Sequence, residues 1–237
     1  MRFRTAFAFD IRFQWRHGFY FIYMVICALY LVFLHLIPDS YREQTMVLLT
    51  FSDPSALGLI LAGGIVLLER DQGIHDPLFV TPIRVREYLL SKAGSLAVLS
   101  LLAAWVIHVV ASGLPQSLIG FSTGIILTSS LMTFLSIGVV ARCRSINGFI
   151  VLSQVYALPF ILPLLGYFKV WNSRLFLFLP TEGTLRLLSS GTSVMTDGNY
   201  FYSISILLVW NMVVYLWAKR SFEQHVMMLI GKGGGRR

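Results

Sequence analysis

The stretch from Phe19 to Ile37 reads FYFIYMVICALYLVFLHLI, without an acidic residue, a lysine or an arginine. A helix needs about 20 mostly apolar residues to cross the hydrocarbon core of a bilayer. The stretch therefore predicts a transmembrane helix. Five further stretches have a comparable length and composition, so that the predicted spans are residues 19–37, 47–68, 93–112, 118–141, 146–168 and 200–217.

The composition of the whole chain agrees with a membrane location. Of 237 residues, 56% are hydrophobic and 13% are charged, and the mean hydropathy is +0.73. Soluble domains carry about 25% charged residues. None of the apolar stretches alternates with the period of a barrel strand. We expect an all-α integral membrane protein in which residues 1–237 form one transmembrane domain.

The basic residues indicate how the helices are oriented. If both termini are cytoplasmic, 15 of the 19 lysines and arginines lie inside, and four lie outside: Arg42, Lys169, Arg174 and Arg186. This split follows the positive-inside rule. The net charge of +8 therefore reflects topology, and we expect membrane lipid, and not nucleic acid, to be its partner.

Residues 1–18 are too polar to span a bilayer. Apolar side chains recur at every fourth position, at Phe3, Phe7, Ile11 and Trp15, with arginines on the other side. The pattern predicts an amphipathic helix in the headgroup layer. The alternative is a loose basic leader that only sets the orientation of the chain.

Residues 69–92 form the most polar internal segment. Gly73 permits a turn, and the pairs Asp76-Pro77 and Thr81-Pro82 each place a capping side chain before a proline. Such pairs start helices. We expect a short cytoplasmic helix and then a second helix that leads into the third span.

Two later segments complete the predicted topology. Pro159 and Pro163 should kink or break the fifth span, because proline removes backbone hydrogen bonds. Residues 169–199 are too weakly apolar to cross and predict a non-spanning outer hairpin. Residues 218–237 are a basic cytoplasmic tail.

The motifs of catalysis are missing from the sequence. No Gly-x-Ser-x-Gly, no His-Glu-x-x-His and no phosphate-binding Gly-x-x-x-x-Gly-Lys-Ser/Thr occurs, and the two cysteines lie in different segments. We therefore predict neither a catalytic residue nor a metal site. Asp53, Gln154 and Glu182 are candidates for lining a transport path. Each has the alternative role of a helix cap or an interhelical hydrogen bond, and Pro54 favours capping by Asp53.

The segment between the second and third spans resembles a known family. Its residues Glu69, Gly73, Leu78, Thr81-Pro82, Tyr88 and Lys92 are similar to those of the ABC-2 type permeases, the membrane subunits of bacterial ATP-binding-cassette exporters. With Asp53-Pro54-Ser55, the chain looks most like the small permeases of the fluoroquinolone-export type.

The resemblance implies a function and a set of partners. A coupling helix at about residues 73–82 would dock on a separate ATPase, which would bind ATP and magnesium, so that this chain needs no cofactor. The coupling residues would be Glu69, Gly73, Asp76, Pro77, Leu78, Phe79, Thr81 and Pro82. Two permease units, identical or paralogous, would export a hydrophobic or amphipathic drug, lipid or peptide across the bacterial cytoplasmic membrane.

Two alternatives remain open at this point. The loop could be an ordinary solvated connection whose apolar residues rest on lipid. The chain could also be a sensor, an immunity factor or an assembly scaffold that binds a partner through the same loop and transports nothing.

Overall fold

The computed structural model describes residues 2–74, 84–143, 145–171, 173–193 and 195–227. These residues form helices and connecting turns and contain no β-strand. The α-helices, numbered in chain order, are α1 Arg2–Arg16, α2 Phe19–Leu36, α3 Asp39–Ala56, α4 Ala62–Asp71, α5 Val85–Ser112, α6 Leu118–Val140, α7 Ile146–Ile161, α8 Pro163–Tyr167, α9 Pro180–Ser189 and α10 Asp197–Phe222. The predicted all-α fold is confirmed.

Three shorter helical pieces connect or extend these elements. A π-helical turn, Leu57–Leu61, joins α3 to α4 without a break, and a second one, Glu223–Met227, extends α10. A 3₁₀ turn, Arg174–Phe178, precedes α9. The turn Leu57–Leu61 makes α3 and α4 one continuous helical segment, Asp39–Asp71.

Five helical segments are long and apolar enough to cross a membrane: Phe19–Leu36, Asp39–Asp71, Val85–Ser112, Leu118–Val140 and Asp197–Val226. They account for five of the six predicted spans. Helix α7 has 16 residues, which rise about 24 Å and fall short of a 30 Å core. It ends before Pro163, where α8 begins, as expected of a proline break. The span at 146–168 stays a prediction.

The helices extend beyond the apolar stretches that predicted them. Helix α3 starts at Asp39, eight residues before the predicted second span. Helix α5 starts at Val85, and α10 continues to Phe222. Apolar composition predicts only the part of a helix that suits the hydrocarbon core, whereas backbone hydrogen bonds can continue the helix past that part.

Helix α6 lies at the centre of the molecule. It packs against α3, α4, α5, α7, α9 and α10. Within its spanning stretch 78% of residues are buried, against 17% in α2. Helix α2 therefore turns most of its apolar surface outward, which suits contact with lipid or with another membrane protein.

Asp53 does not cap a helix, and that prediction was wrong. It lies within α3, and Pro54 follows it inside the same helix. Because proline has no N–H, the regular bonding pattern fails at this point, and the chain continues through the π-helical turn Leu57–Leu61. The Ser136 hydroxyl of α6 donates to the Leu59 carbonyl at 2.6 Å and compensates part of the irregularity.

Candidate coupling site and transport path

Three charged side chains meet inside the protein at the ends of the 69–92 segment. The Lys92 ammonium of α5 lies 2.6 Å from Asp10 Oδ1 of α1 and also donates to Glu69 Oε1 of α4. All three residues are at most 4% exposed. We call Asp10, Glu69 and Lys92 the buried triad.

Neighbouring hydroxyl groups complete the hydrogen bonding of the triad. Tyr88 OH donates to Glu69 Oε2 at 2.6 Å, and Ser91 Oγ donates to Asp10 Oδ2 at 2.7 Å. One turn further along both helices, Gln14 Nε2 donates to Ser95 Oγ at 2.9 Å. Helix α1 is thus attached to α5 by polar contacts over two turns.

The charge balance of the triad makes each member dependent on the others. Two carboxylates face one ammonium in a site that is closed to water. Burial raises the pKa of the Asp10 carboxyl above its ordinary value, against the opposing effect of the Lys92 ammonium. Loss of one partner from a buried ion pair leaves an uncompensated charge and is strongly destabilising.

The buried triad joins the two ends of the segment that was predicted to couple to an ATPase. Glu69 lies near the end of α4, Lys92 lies in the second turn of α5, and residues 70–91 connect them. Gly73 has φ 66°, a left-handed conformation that glycine adopts without strain, and the chain turns there as predicted. The Ile74 N–H donates to the Glu69 carbonyl at 2.9 Å.

The other six predicted coupling residues fall at residues 75–83, outside the described residues. They are Asp76, Pro77, Leu78, Phe79, Thr81 and Pro82. The helix expected to lead into the third span is present as α5, with the Arg84 N–H donating to Glu87 Oε2 at 2.9 Å. The roles of these residues stay a prediction.

A second set of contacts joins the same end of the molecule to α10. Arg70 Nη1 donates to the Cys143 carbonyl in the turn after α6, at 2.6 Å. In that turn Arg142 Nε donates to Ser221 Oγ at 3.0 Å, and its guanidinium lies 4.9 Å from the Trp217 ring centre. The ends of α4, α6 and α10 are therefore linked beside the coupling segment.

The three candidate path residues lie on three different helices. Asp53 is 2% exposed, and its Oδ2 atom has no hydrogen-bond partner among the described residues. Gln154 is exposed on α7. Glu182 of α9 pairs with Arg186 at 2.9 Å and lines an open cavity of about 830 Å³. No hydrogen bond or ion pair among the described residues joins any two of the three side chains.

Comparison with known proteins places this architecture in a family. Residues 1–229 match the model of the fluoroquinolones export permease protein family. The chain belongs to that family. Two fluoroquinolones export permease proteins from different strains of Mycobacterium tuberculosis are each 28% identical to it over 155 residues, which cover 65% of this chain and 65% of theirs.

Membership of the fluoroquinolones export permease family agrees with the resemblance seen in the sequence. The family is described as one of export permeases, and permeases are membrane proteins. Membership also agrees with the five apolar helices.

Sequence reasoning missed the contribution of α1 to the triad of this permease. The helix predicted within residues 1–18 is present, but Asp10 and Gln14 face the protein. One signal was available. Asp10 is the sole acidic residue among the first 38 and lies in a basic stretch, where a carboxylate does not help to orient the chain in the membrane. Gln14 follows one turn later on the same face.

Proposed function

We propose that this chain is the membrane-spanning permease subunit of an ATP-binding-cassette exporter in the bacterial cytoplasmic membrane, with both termini in the cytoplasm. Family membership supports the exporter, and the 15-to-4 division of basic residues supports the orientation. The chain has no phosphate-binding loop of its own, so a separate ATPase would bind ATP and magnesium.

The buried triad is the observation that carries the coupling part of this proposal. It connects both ends of the 69–92 segment to each other and to α1. A force applied to residues 73–82 by a closing ATPase would therefore reach α1, α4 and α5 together. Leu78 and Phe79 would be the apolar contact with the ATPase, with charged neighbours at its rim.

Transport would use two permease units, identical or paralogous. The outward-facing apolar surfaces of α2 and α7 support a second membrane partner. ATP binding would shift the population between inward- and outward-facing packings, or would drive lateral extrusion of substrate. The names of the two relatives make amphipathic aromatic drugs the first substrate class to test.

Co-purification tests the docking segment. The tagged permease is expressed together with a Walker-motif ATPase from a neighbouring reading frame, and Leu78→Asp should abolish recovery of the ATPase. The matched control is Leu114→Asp, which changes an exposed leucine in the turn between α5 and α6. Retention of the ATPase by Leu78→Asp, or its loss in both variants, would refute docking at this segment.

A further inference from the structure

An open, mainly polar cavity of about 830 Å³ lies at the hairpin that precedes α10. Its walls come from α8, the 3₁₀ turn Arg174–Phe178, α9 and the residues that lead into α10. The cavity is lined by Arg174, Arg186 and Glu182, so the net formal charge of its lining is +1. Nothing in the coupling mechanism uses these groups.

Arg186 is held in place by its surroundings. Its Nε donates to Glu182 Oε1 at 2.9 Å, and its Nη1 donates to Asn199 Oδ1 at 3.1 Å. The guanidinium also lies 5.2 Å from the Tyr202 ring centre. A guanidinium has five N–H donors, and the side chain is 33% exposed. Further donors are thus available to a ligand at an orientation that is already fixed.

A second cation, Arg174, lines the same cavity. Arg174 is exposed, and no ion pair joins it to another residue in the described part of the chain. Tyr167 and Phe176 add aromatic surface to the same cavity. The site therefore offers two guanidinium groups, one carboxylate that balances one of them, and an apolar wall.

We propose that this cavity binds the carboxylate of an amphipathic aromatic compound between Arg174 and Arg186, with the aromatic part against Tyr167 and Phe176. Guanidinium groups match carboxylates in charge and in planar geometry. Glu182 leaves room for one negative charge and repels a group with two, which disfavours phosphate monoesters. The inference rests on the proposed exporter function, because it assigns a binding site to the substrate class named there.

Binding of a fluoroquinolone and of its methyl ester to the purified full-length permease tests the proposal. The ester keeps the ring system and removes the negative charge. The chain is reconstituted in nanodiscs of phosphatidylcholine, and fluorescence anisotropy of the compound reports binding. The acid should bind about tenfold more tightly than the ester. Arg186→Gln and Arg174→Gln should each remove most of this difference.

Lys169→Gln is the matched control, because Lys169 is basic, belongs to the same hairpin and does not line the cavity. It should keep the preference for the acid. If Arg186→Gln fails to fold, Arg174→Gln decides, since no described ion pair depends on Arg174. Equal binding of acid and ester by the unchanged protein, or an undiminished preference in Arg174→Gln, would overturn the proposal. So would loss of the preference when a small fraction of phosphatidylglycerol is added, since the anionic lipid would then occupy the cavity.

The same preparation separates this inference from the proposed function. Recovery of the ATPase with a permease that shows no acid preference would leave the exporter standing and remove the carboxylate site. A preference for the acid in a permease that recovers no ATPase would leave the carboxylate site standing and remove the exporter.

Discussion

Lys92 is the residue on which the buried end of the molecule depends. Its ammonium neutralises charge from Asp10 and Glu69, which lie 82 and 23 positions away along the chain on two other helices. Water reaches none of these groups to an appreciable extent. The loss of stability on removing one of these residues therefore depends on the charge that remains buried without a partner.

Replacement of Lys92 by methionine should destabilise the protein by about 3 to 5 kcal/mol, because two carboxylates remain buried without a counter-ion. Thermal unfolding of the purified protein in detergent measures the change. Asp10→Asn should lower the stability less than Lys92→Met does, since the Lys92–Glu69 pair that remains is neutral. Lys219→Met is the control, because the Lys219–Glu223 pair is long, at 3.8 Å, and exposed. A loss in Lys219→Met as large as that in Lys92→Met would argue against the triad.

Adding Asp10→Asn and Glu69→Gln to Lys92→Met should recover a large part of the lost stability. The triple variant buries no formal charge at this site, and buried ion groups replaced together are often tolerated. The same unfolding measurement applies. If the triple variant is less stable than Lys92→Met alone, the residual charge is not the cause of the loss.

The irregular helix formed by α3, the π-helical turn and α4 is the element that brings the triad and the central helix together. Its π-helical turn lies against α6, where Gly58 allows close contact. A Cβ atom at Gly58 would lie 2.7 Å from the Ser129 carbonyl oxygen and from Met132 Cβ. Neither atom belongs to the far end of a flexible side chain, so the two helices would have to separate.

Gly58→Ala should therefore lower stability by about 1 to 3 kcal/mol, the usual cost of overpacking. Gly64→Ala is the matched control in the next turns of the same helix, where an added Cβ has open space. It should cause no loss, because alanine favours the helix over glycine. Thermal unfolding compares the two variants, and equal stability would show that the close approach at Gly58 is not needed.

An element could be predicted from the sequence where the residues that cause it are close together in the chain. Apolar length alone located five spans, and of the two prolines expected to kink or break the fifth span, Pro163 starts α8 while Pro159 lies inside α7. The role of Asp53 was misjudged because Asp-Pro is locally a helix start, whereas here the preceding turns of α3 carry the helix through it. The pairing of Asp10 with Lys92 depends on how α1 docks on α5, which the local pattern does not determine.

At the scale of the whole molecule, the chain is organised around α6, with α2 and α7 turning apolar surface outward. The path candidates Asp53, Gln154 and Glu182 lie on three helices, and no hydrogen bond or ion pair among the described residues joins any two of them. The proposed function places the transport path between two chains.

Native mass spectrometry of the detergent-purified complex should therefore report two permease units and two ATPase chains. The two permease masses will be equal if the units are identical and will differ if a paralogue takes part. A stable, ATPase-bound complex that contains one permease unit in total would contradict the shared path.

ATP-driven transport in proteoliposomes tests the central claim most directly. Permease and ATPase are reconstituted together with the ATPase outside, and uptake of a fluoroquinolone into the vesicles is followed by its fluorescence. We expect accumulation on addition of ATP and magnesium, none with either protein alone, and none when Leu78→Asp replaces the unchanged permease. Accumulation by the permease alone, driven by a proton gradient without ATP, would contradict the account.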